Sequence, residues 1–133
     1  MEENYSPTSK SAIGLDANVA AALGYIIGIL GLINFIIDKE NRFVRFHGIQ
    51  SVLYSVGVSA VFTVAWVLLL ILGVILNMIS GVLASLVGIL GILLFLVFFL
   101  VLFGGLIYGA YKAYQGEMFK LPVVGNFAEK IAK

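Results

Sequence analysis

The sequence predicts an all-α membrane protein, a polytopic bundle of three long transmembrane helices. Composition and charge pattern carry this expectation. Hydrophobic residues make up 62% of the 133 and charged residues 11%, against roughly half and a quarter in globular domains. The charges are also segregated: residues 46–111 contain no Asp, Glu, Lys or Arg. A helical crossing takes about 20 apolar residues. The long run therefore holds two crossings, and the uncharged stretch at residues 17–37 holds a third.

Taken in order, residues 1–15 include Ser6, Pro7, Thr8, Ser9 and Ser11 with few large apolar groups, the composition of a flexible tail. The segment lacks the basic start and short apolar core of a cleaved signal peptide, so the first apolar helix is expected to stay in the mature protein. Asp16 or Asn18 is placed to cap that helix, residues 17–37, by accepting from its free N–H groups. The dense charge cluster at residues 38–45 cannot sit in hydrocarbon and reads as a membrane-surface loop or helix start. Asn77, Ser80 and Gly81 interrupt the uncharged run near its middle and mark a turn. The second helix is then expected at residues 46–76 and the third at 82–114.

Roughly 31 residues at 1.5 Å each span about 46 Å, more than the ~30 Å hydrocarbon core, so both helices tilt or project past it. Tyr108, Tyr111, Lys112 and Tyr114 suit that interfacial end. Residues 16–115 thus form one transmembrane helical domain. Residues 116–133 follow as a cytoplasmic segment. In it Val124, Phe127 and Ile131 recur at helical spacing among Lys120, Lys130 and Lys133, the pattern of a surface-lying amphipathic helix.

In a three-crossing chain Lys39, Arg42, Arg45, Lys112, Lys120, Lys130 and Lys133 share one side, and Lys10 stands alone on the other. The positive-inside rule makes the first side cytoplasmic. The expectation is a multi-pass protein of the cell membrane with its N-terminus outside and its C-terminus in the cytoplasm. A four-crossing chain is the alternative; it divides the basic residues between the sides and loses the bias.

The motifs favour packing and anchoring over chemistry. Ala20, Gly24 and Gly28 recur every four residues on the first helix, and Gly105 and Gly109 do so on the third. Small residues on one face let another backbone approach closely. Ser51, Ser55, Ser59 and Thr63 form a polar stripe on the second helix, read either as helix–helix hydrogen-bonding groups or as the lining of a pore. Glu40, Arg42, Arg45, His47 and Gln50 gather where that helix enters the membrane. They are expected to form one hydrogen-bonded interfacial cluster, its net positive charge facing anionic lipid.

There is no cysteine and His47 is the only histidine, so no metal site, cofactor or catalytic set is predicted. The spans carry none of the acids and bases that couple ions in pumps, and a net charge of +1 points away from nucleic acid. The chain is expected not to be an enzyme. Its expected partners are the lipid bilayer and a second copy or another membrane protein.

The stretches GLDANVAAALGYIIG, DKENRFVRFHGIQS and AYQGEMFKLPVVGNFAEK resemble small archaeal and bacterial membrane proteins related to the Tic twenty component of the chloroplast inner-envelope import translocon. The resemblance covers residues 14–130 and is most specific at Glu40, Phe43, Val44, Arg45, Phe46, His47, Gln50 and Ser51. It implies four crossings and a place in an import channel, where the charge distribution implies three. The combined expectation is a non-enzymatic scaffold or translocation-associated component acting through helix packing and oligomerisation. A small oligomeric channel using the Ser/Thr stripe is the alternative.

Overall fold

A computed structural model describes residues 9–133. Among these residues every regular element is an α-helix: α1 (Ala17–Ile26), α2 (Gly28–Ile37), α3 (Arg42–Asn77), α4 (Gly81–Tyr114) and α5 (Val124–Ile131). The chain divides into two compact units, one formed by the residues up to Ser55 and from Gly104 onward, the other by Val56–Phe103.

The two long helices stand where the uncharged run predicts them. With 36 and 34 residues they are about 54 and 51 Å long, enough to cross a hydrocarbon core of about 30 Å. The second expected helix starts four residues early, because Asn41 caps it. The Asn41 Oδ1 accepts the backbone N–H groups of Phe43 at 3.1 Å and Val44 at 3.4 Å, which satisfies donors that a helix start otherwise leaves open. Arg42 and Arg45 therefore lie in the first turn of α3.

The expected first long helix is not one helix, and this corrects the count of three. It breaks at Ile27, whose φ of −114° and ψ of 93° are extended. Two ten-residue helices result, each about 15 Å long, and neither crosses a bilayer. They fold back on one another. The Asn34 Nδ2 donates to the Ala20 carbonyl at 2.7 Å, and a Cβ placed on Gly24 would lie 3.1 Å from the Gly31 Cα. At the open end of the hairpin the Ala12 N–H donates to Asp38 Oδ2 at 2.9 Å and the Asn41 Nδ2 donates to Ser9 Oγ at 2.6 Å.

The reversal also sets where the N-terminal residues lie: Lys10 is at the same end of the hairpin as Lys39. Asn18 Nδ2 donates to the Tyr114 carbonyl at 3.0 Å, so the start of α1 meets the end of α4. All eight Lys and Arg residues belong to the first unit. Of the expected flexible tail, residues 1–8 lie outside the described residues. Residues 9–16 form a closed loop in which the Ala17 N–H donates to the Ser9 carbonyl at 2.8 Å. Asp16 does not cap α1 with its side chain; it pairs with Lys10 at 2.6 Å.

Glycine positions explain the packing of the hairpin. Gly31 of α2 stands between Gly24 of α1 and Gly48 of α3: a Cβ on it would collide with Ser51 Oγ and lie 2.8 Å from the Gly24 carbonyl oxygen. Gly28 departs from the expectation of a close approach. A Cβ there meets nothing within 4 Å, because the break turns it outward.

The second unit is a helical hairpin by itself. Phe62 packs on Phe98 with ring centroids 5.1 Å apart, Trp66 covers Gly91 and Val87 covers Gly73. Most of its large apolar side chains are exposed, as lipid-facing side chains are.

Two outcomes follow. Because the chain has no cysteine, single cysteines report sidedness cleanly. Lys10→Cys and Lys39→Cys react with a membrane-impermeant maleimide from the same side, and Met78→Cys reacts from the other; reaction of Lys10→Cys with Met78→Cys would restore an unbroken first helix. Gly31→Ala lowers thermal stability in detergent by about 1–3 kcal/mol through overpacking, whereas Gly28→Ala leaves it nearly unchanged.

Candidate functional site

The polar core of the first unit begins with how α4 ends. Gly116, at φ +78°, takes the left-handed conformation that glycine allows. The Gly116 N–H donates to the Ala113 carbonyl at 2.9 Å and the Glu117 N–H to the Lys112 carbonyl at 3.0 Å. This pair of bonds is the Schellman arrangement that closes a helix C-terminus. It sends residues 117–121 across α3, with their backbone groups facing His47 and Gln50.

Those two side chains, with Tyr25 of α1, form a buried network. His47 Nε2 lies 3.0 Å from the Glu117 carbonyl and Nδ1 lies 2.9 Å from the Tyr25 hydroxyl. A carbonyl only accepts, so Nε2 carries the proton and Nδ1 accepts from the Tyr25 O–H. The Gln50 Nε2 donates to the Tyr25 hydroxyl at 2.6 Å and to the Phe119 carbonyl at 3.0 Å. Its Oε1 accepts the Leu121 N–H at 3.0 Å. Both polar ends of Gln50 and both ring nitrogens of His47 are thus bonded. The His47 ring is also enclosed edge-on by Tyr25, Phe43 and Phe46, at centroid distances of 5.7, 4.6 and 4.9 Å. Chemically the arrangement is a latch that holds a loop against α3.

The expected five-residue cluster divides. His47 and Gln50 enter this network. Arg42 Nη2 instead approaches Glu129 of α5 at 3.8 Å. Arg45 lays its guanidinium over the Phe35 ring at 5.3 Å and makes no ion pair among the described residues. Glu40 lies exposed on the loop. Sequence reasoning missed Tyr25 and Gly48, and noted Gly31 only as a neighbour of the Ala20, Gly24 and Gly28 stack. The signal for Tyr25 was there, a phenol in the middle of an otherwise apolar helix, since a buried phenol seeks a partner for its hydroxyl.

The small residues meet aromatic side chains as well as backbones. Gly109 faces Tyr25, whose Cε1 would be 2.6 Å from an added Cβ, and Gly105 faces the Tyr54 ring. Ala20 is fully buried in the α1–α2 contact. Along the Ser/Thr stripe, Ser51 Oγ donates to the Gly48 carbonyl at 2.8 Å, Ser55 Oγ to Ser51 at 2.8 Å and Thr63 Oγ1 to Ser59 at 2.7 Å. Their protons are used within α3.

The C-terminal helix α5 packs within the first unit through its small residues. Gly125 and Ala128 are its buried face, with Leu121 and Ala132 beside them, while Phe127 and Ile131 point outward. Lys120 donates to Glu129 at 2.7 Å and holds that carboxyl below the usual glutamate range.

Fold and site together define a class: a polytopic α-helical membrane protein with every Lys and Arg gathered in one unit that holds the Tyr25, His47 and Gln50 network. Within that class the chain belongs to the magnetosome magnetite crystal formation protein family, which it matches over residues 11–128. It is similar to a UPF0132 membrane protein of Methanocaldococcus jannaschii, 36% identical over 125 residues that cover 93% of this chain and 96% of the relative. A UPF0132 membrane protein of Archaeoglobus fulgidus is 38% identical over 114 residues, covering 85% and 92%. A second from Methanocaldococcus jannaschii is 32% identical over 127 residues, covering 90% and 72%. No solved structure matches the chain. The expected small archaeal membrane family and membrane location are borne out; the relation to the chloroplast import component gains no support from these matches.

Tyr25→Phe removes one donor and one acceptor from the latch, leaving His47 Nδ1 and one Gln50 N–H without partners. A loss of about 1–3 kcal/mol is expected for such buried groups. The measurement is thermal unfolding in detergent together with limited proteolysis, in which cleavage within residues 117–121 accelerates.

Proposed function

We propose that the protein is a non-enzymatic scaffold of the cell membrane that holds a rigid charged unit at the cytoplasmic surface. One observation carries the reading. The buried side chains best suited to chemistry, Tyr25, His47 and Gln50, spend their hydrogen-bonding capacity on one another and on the backbone of residues 117–121. A site built to act on a substrate leaves such groups aimed at open space.

The side of the membrane rests on charge. With Lys10 at the same end as Lys39, the basic residues no longer divide seven to one but lie together, and the positive-inside rule assigns their unit to the cytoplasm. Both the N-terminal residues described and the C-terminal segment then face inward.

The family description concerns formation of mineral crystals. For this chain four of the five described carboxylates favour a scaffold over a nucleating face: Asp16, Glu117 and Glu129 each bond a lysine at 2.6–2.9 Å, and Asp38 accepts backbone N–H groups of Ala12 and Asn41, which leaves Glu40 exposed on its loop. A translocation-associated role is the narrower form of the same reading and draws only on the resemblance of the three sequence stretches. The channel alternative is less supported, because the Ser51, Ser55 and Thr63 hydroxyls donate along their own helix.

Proteoliposomes discriminate these readings. Purified protein is expected to give no ion flux above that of protein-free vesicles. A flux that disappears in the Ser59→Val, Thr63→Val double variant would replace the scaffold with a channel.

A further inference from the structure

The α1–α2 hairpin has an unusual length for an apolar element. Each arm is ten residues, about 15 Å, half of a hydrocarbon core of about 30 Å. The start of α1 and the end of α2 meet at a polar base, where Lys10, Asp16, Asp38, Lys39 and Glu40 lie with the Ala12–Asp38 and Ser9–Asn41 bonds. The opposite end is apolar and bare: Ile26 is 70% exposed, Ile27 46% and Ile29 63%. Leu32 and Ile36 continue the exposed ridge along α2, and residues 17–37 hold no charge.

A charged base fixes one end of the hairpin at headgroup level, and exposed isoleucines at the other end require hydrocarbon. The length between them places the apex near the bilayer midplane and no deeper. The ridge therefore meets the acyl chains of one leaflet only.

We propose that the α1–α2 hairpin is a half-membrane insertion, its ridge covered by acyl chains of the leaflet on the charged side, and that it makes the protein sense membrane curvature. The physical reason is area. The hairpin adds the cross-section of two helices to the leaflet it enters and none to the opposite one. Expanding a single leaflet is favourable where that leaflet lies on the convex side of a bend and unfavourable where it lies on the concave side. Helix α5 adds to the same effect, because Val123 and Phe127, 78% and 58% exposed, flank a helix bordered by Lys120, Lys130 and Lys133, the arrangement of an element seated at headgroup depth. The inference rests on the hairpin geometry and stands apart from the scaffold reading.

The test uses the full chain in giant vesicles of phosphatidylethanolamine and phosphatidylglycerol from which narrow membrane tubes are drawn. Labelling Lys39→Cys from outside with an impermeant dye shows only molecules whose charged unit faces outward. Labelling Met78→Cys shows those of opposite orientation. The first population is expected to be enriched on tubes by about threefold per lipid and the second depleted, a sign reversal that curvature-sensitive insertion requires. Equal density on tube and vesicle, or the same sign in both populations, overturns the proposal. Ile29→Asn makes the apex polar, and a variant with unchanged helicity and melting should lose the enrichment; retention assigns it elsewhere and overturns the hairpin's role. Ile27→Trp in a Trp66→Phe background is expected to be quenched by brominated acyl chains. Absence of quenching, with disulfide-linked dimers from Ile29→Cys, would place a second copy on the ridge and overturn the lipid assignment.

Discussion

Three backbones converge at Gly31, and the rest of the first unit depends on that approach. Helices surrounded by lipid gain little from burying apolar side chains against each other, since acyl chains are as apolar as leucine; they associate through close packing and polar bonds. Gly24, Gly31 and Gly48 provide the first, bringing α1, α2 and α3 to backbone contact. The second follows from it. With α1 held against α2 and α2 against α3, the Tyr25 hydroxyl reaches His47 and Gln50, and Asn34 reaches the Ala20 carbonyl. A methyl group at Gly31 would separate the elements that carry these partners.

The latch in turn organises the C-terminal segment. Glu117, Phe119 and Leu121 offer backbone groups that would otherwise be left buried and unbonded, and His47 and Gln50 satisfy them from α3. Immediately after comes a strained turn. Val123 has φ +67° and ψ −59°, and the Val124 N–H donates back to the Pro122 carbonyl at 2.8 Å, the geometry of a γ-turn that a β-branched residue rarely adopts. Such a conformation costs about 1–3 kcal/mol and persists where its surroundings over-determine it. Here the Gln50–Leu121 bond fixes the chain on one side. On the other, Gly125 packs so closely that an added Cβ would sit 2.8 Å from the Lys120 Cα.

What the sequence made legible follows the range of each signal. Hydropathy is a local sum, so α3 and α4 were readable to within a few residues, and the Asn77–Gly81 turn with them. The break at Ile27 was not, because an unbroken helix and a folded hairpin have the same hydropathy; what distinguishes them is the tertiary contact of Gly24, Gly31 and Gly48. The four-residue glycine rule selected Gly24, Gly105 and Gly109, which do abut other groups, and also Gly28, which does not. Spacing locates a helical face but not the partner opposite it. His47 and Gln50 were singled out as interfacial, yet their partners are Tyr25, 22 and 25 residues away, and backbone atoms 69 to 71 residues away that no residue pattern encodes. Arg42 and Arg45 failed to join them because being one turn apart on α3 directs each toward a different neighbour, Glu129 and Phe35.

The same break bears on the charge count. Counting charges by side depends on the number of crossings, and one reversal moves Lys10 to the other column. A hairpin that turns at hydrocarbon depth faces a stricter requirement than one in water, since lipid supplies no partners for exposed backbone groups. Ile27 meets it locally. Its N–H donates to the Leu23 carbonyl at 2.8 Å and its carbonyl accepts the Leu30 N–H at 2.8 Å, so both polar groups of the extended residue remain bonded. The chain therefore reverses with both backbone groups of Ile27 bonded. That is the condition under which a half-length apolar hairpin is an admissible membrane element, and it replaces the single crossing that composition alone suggests.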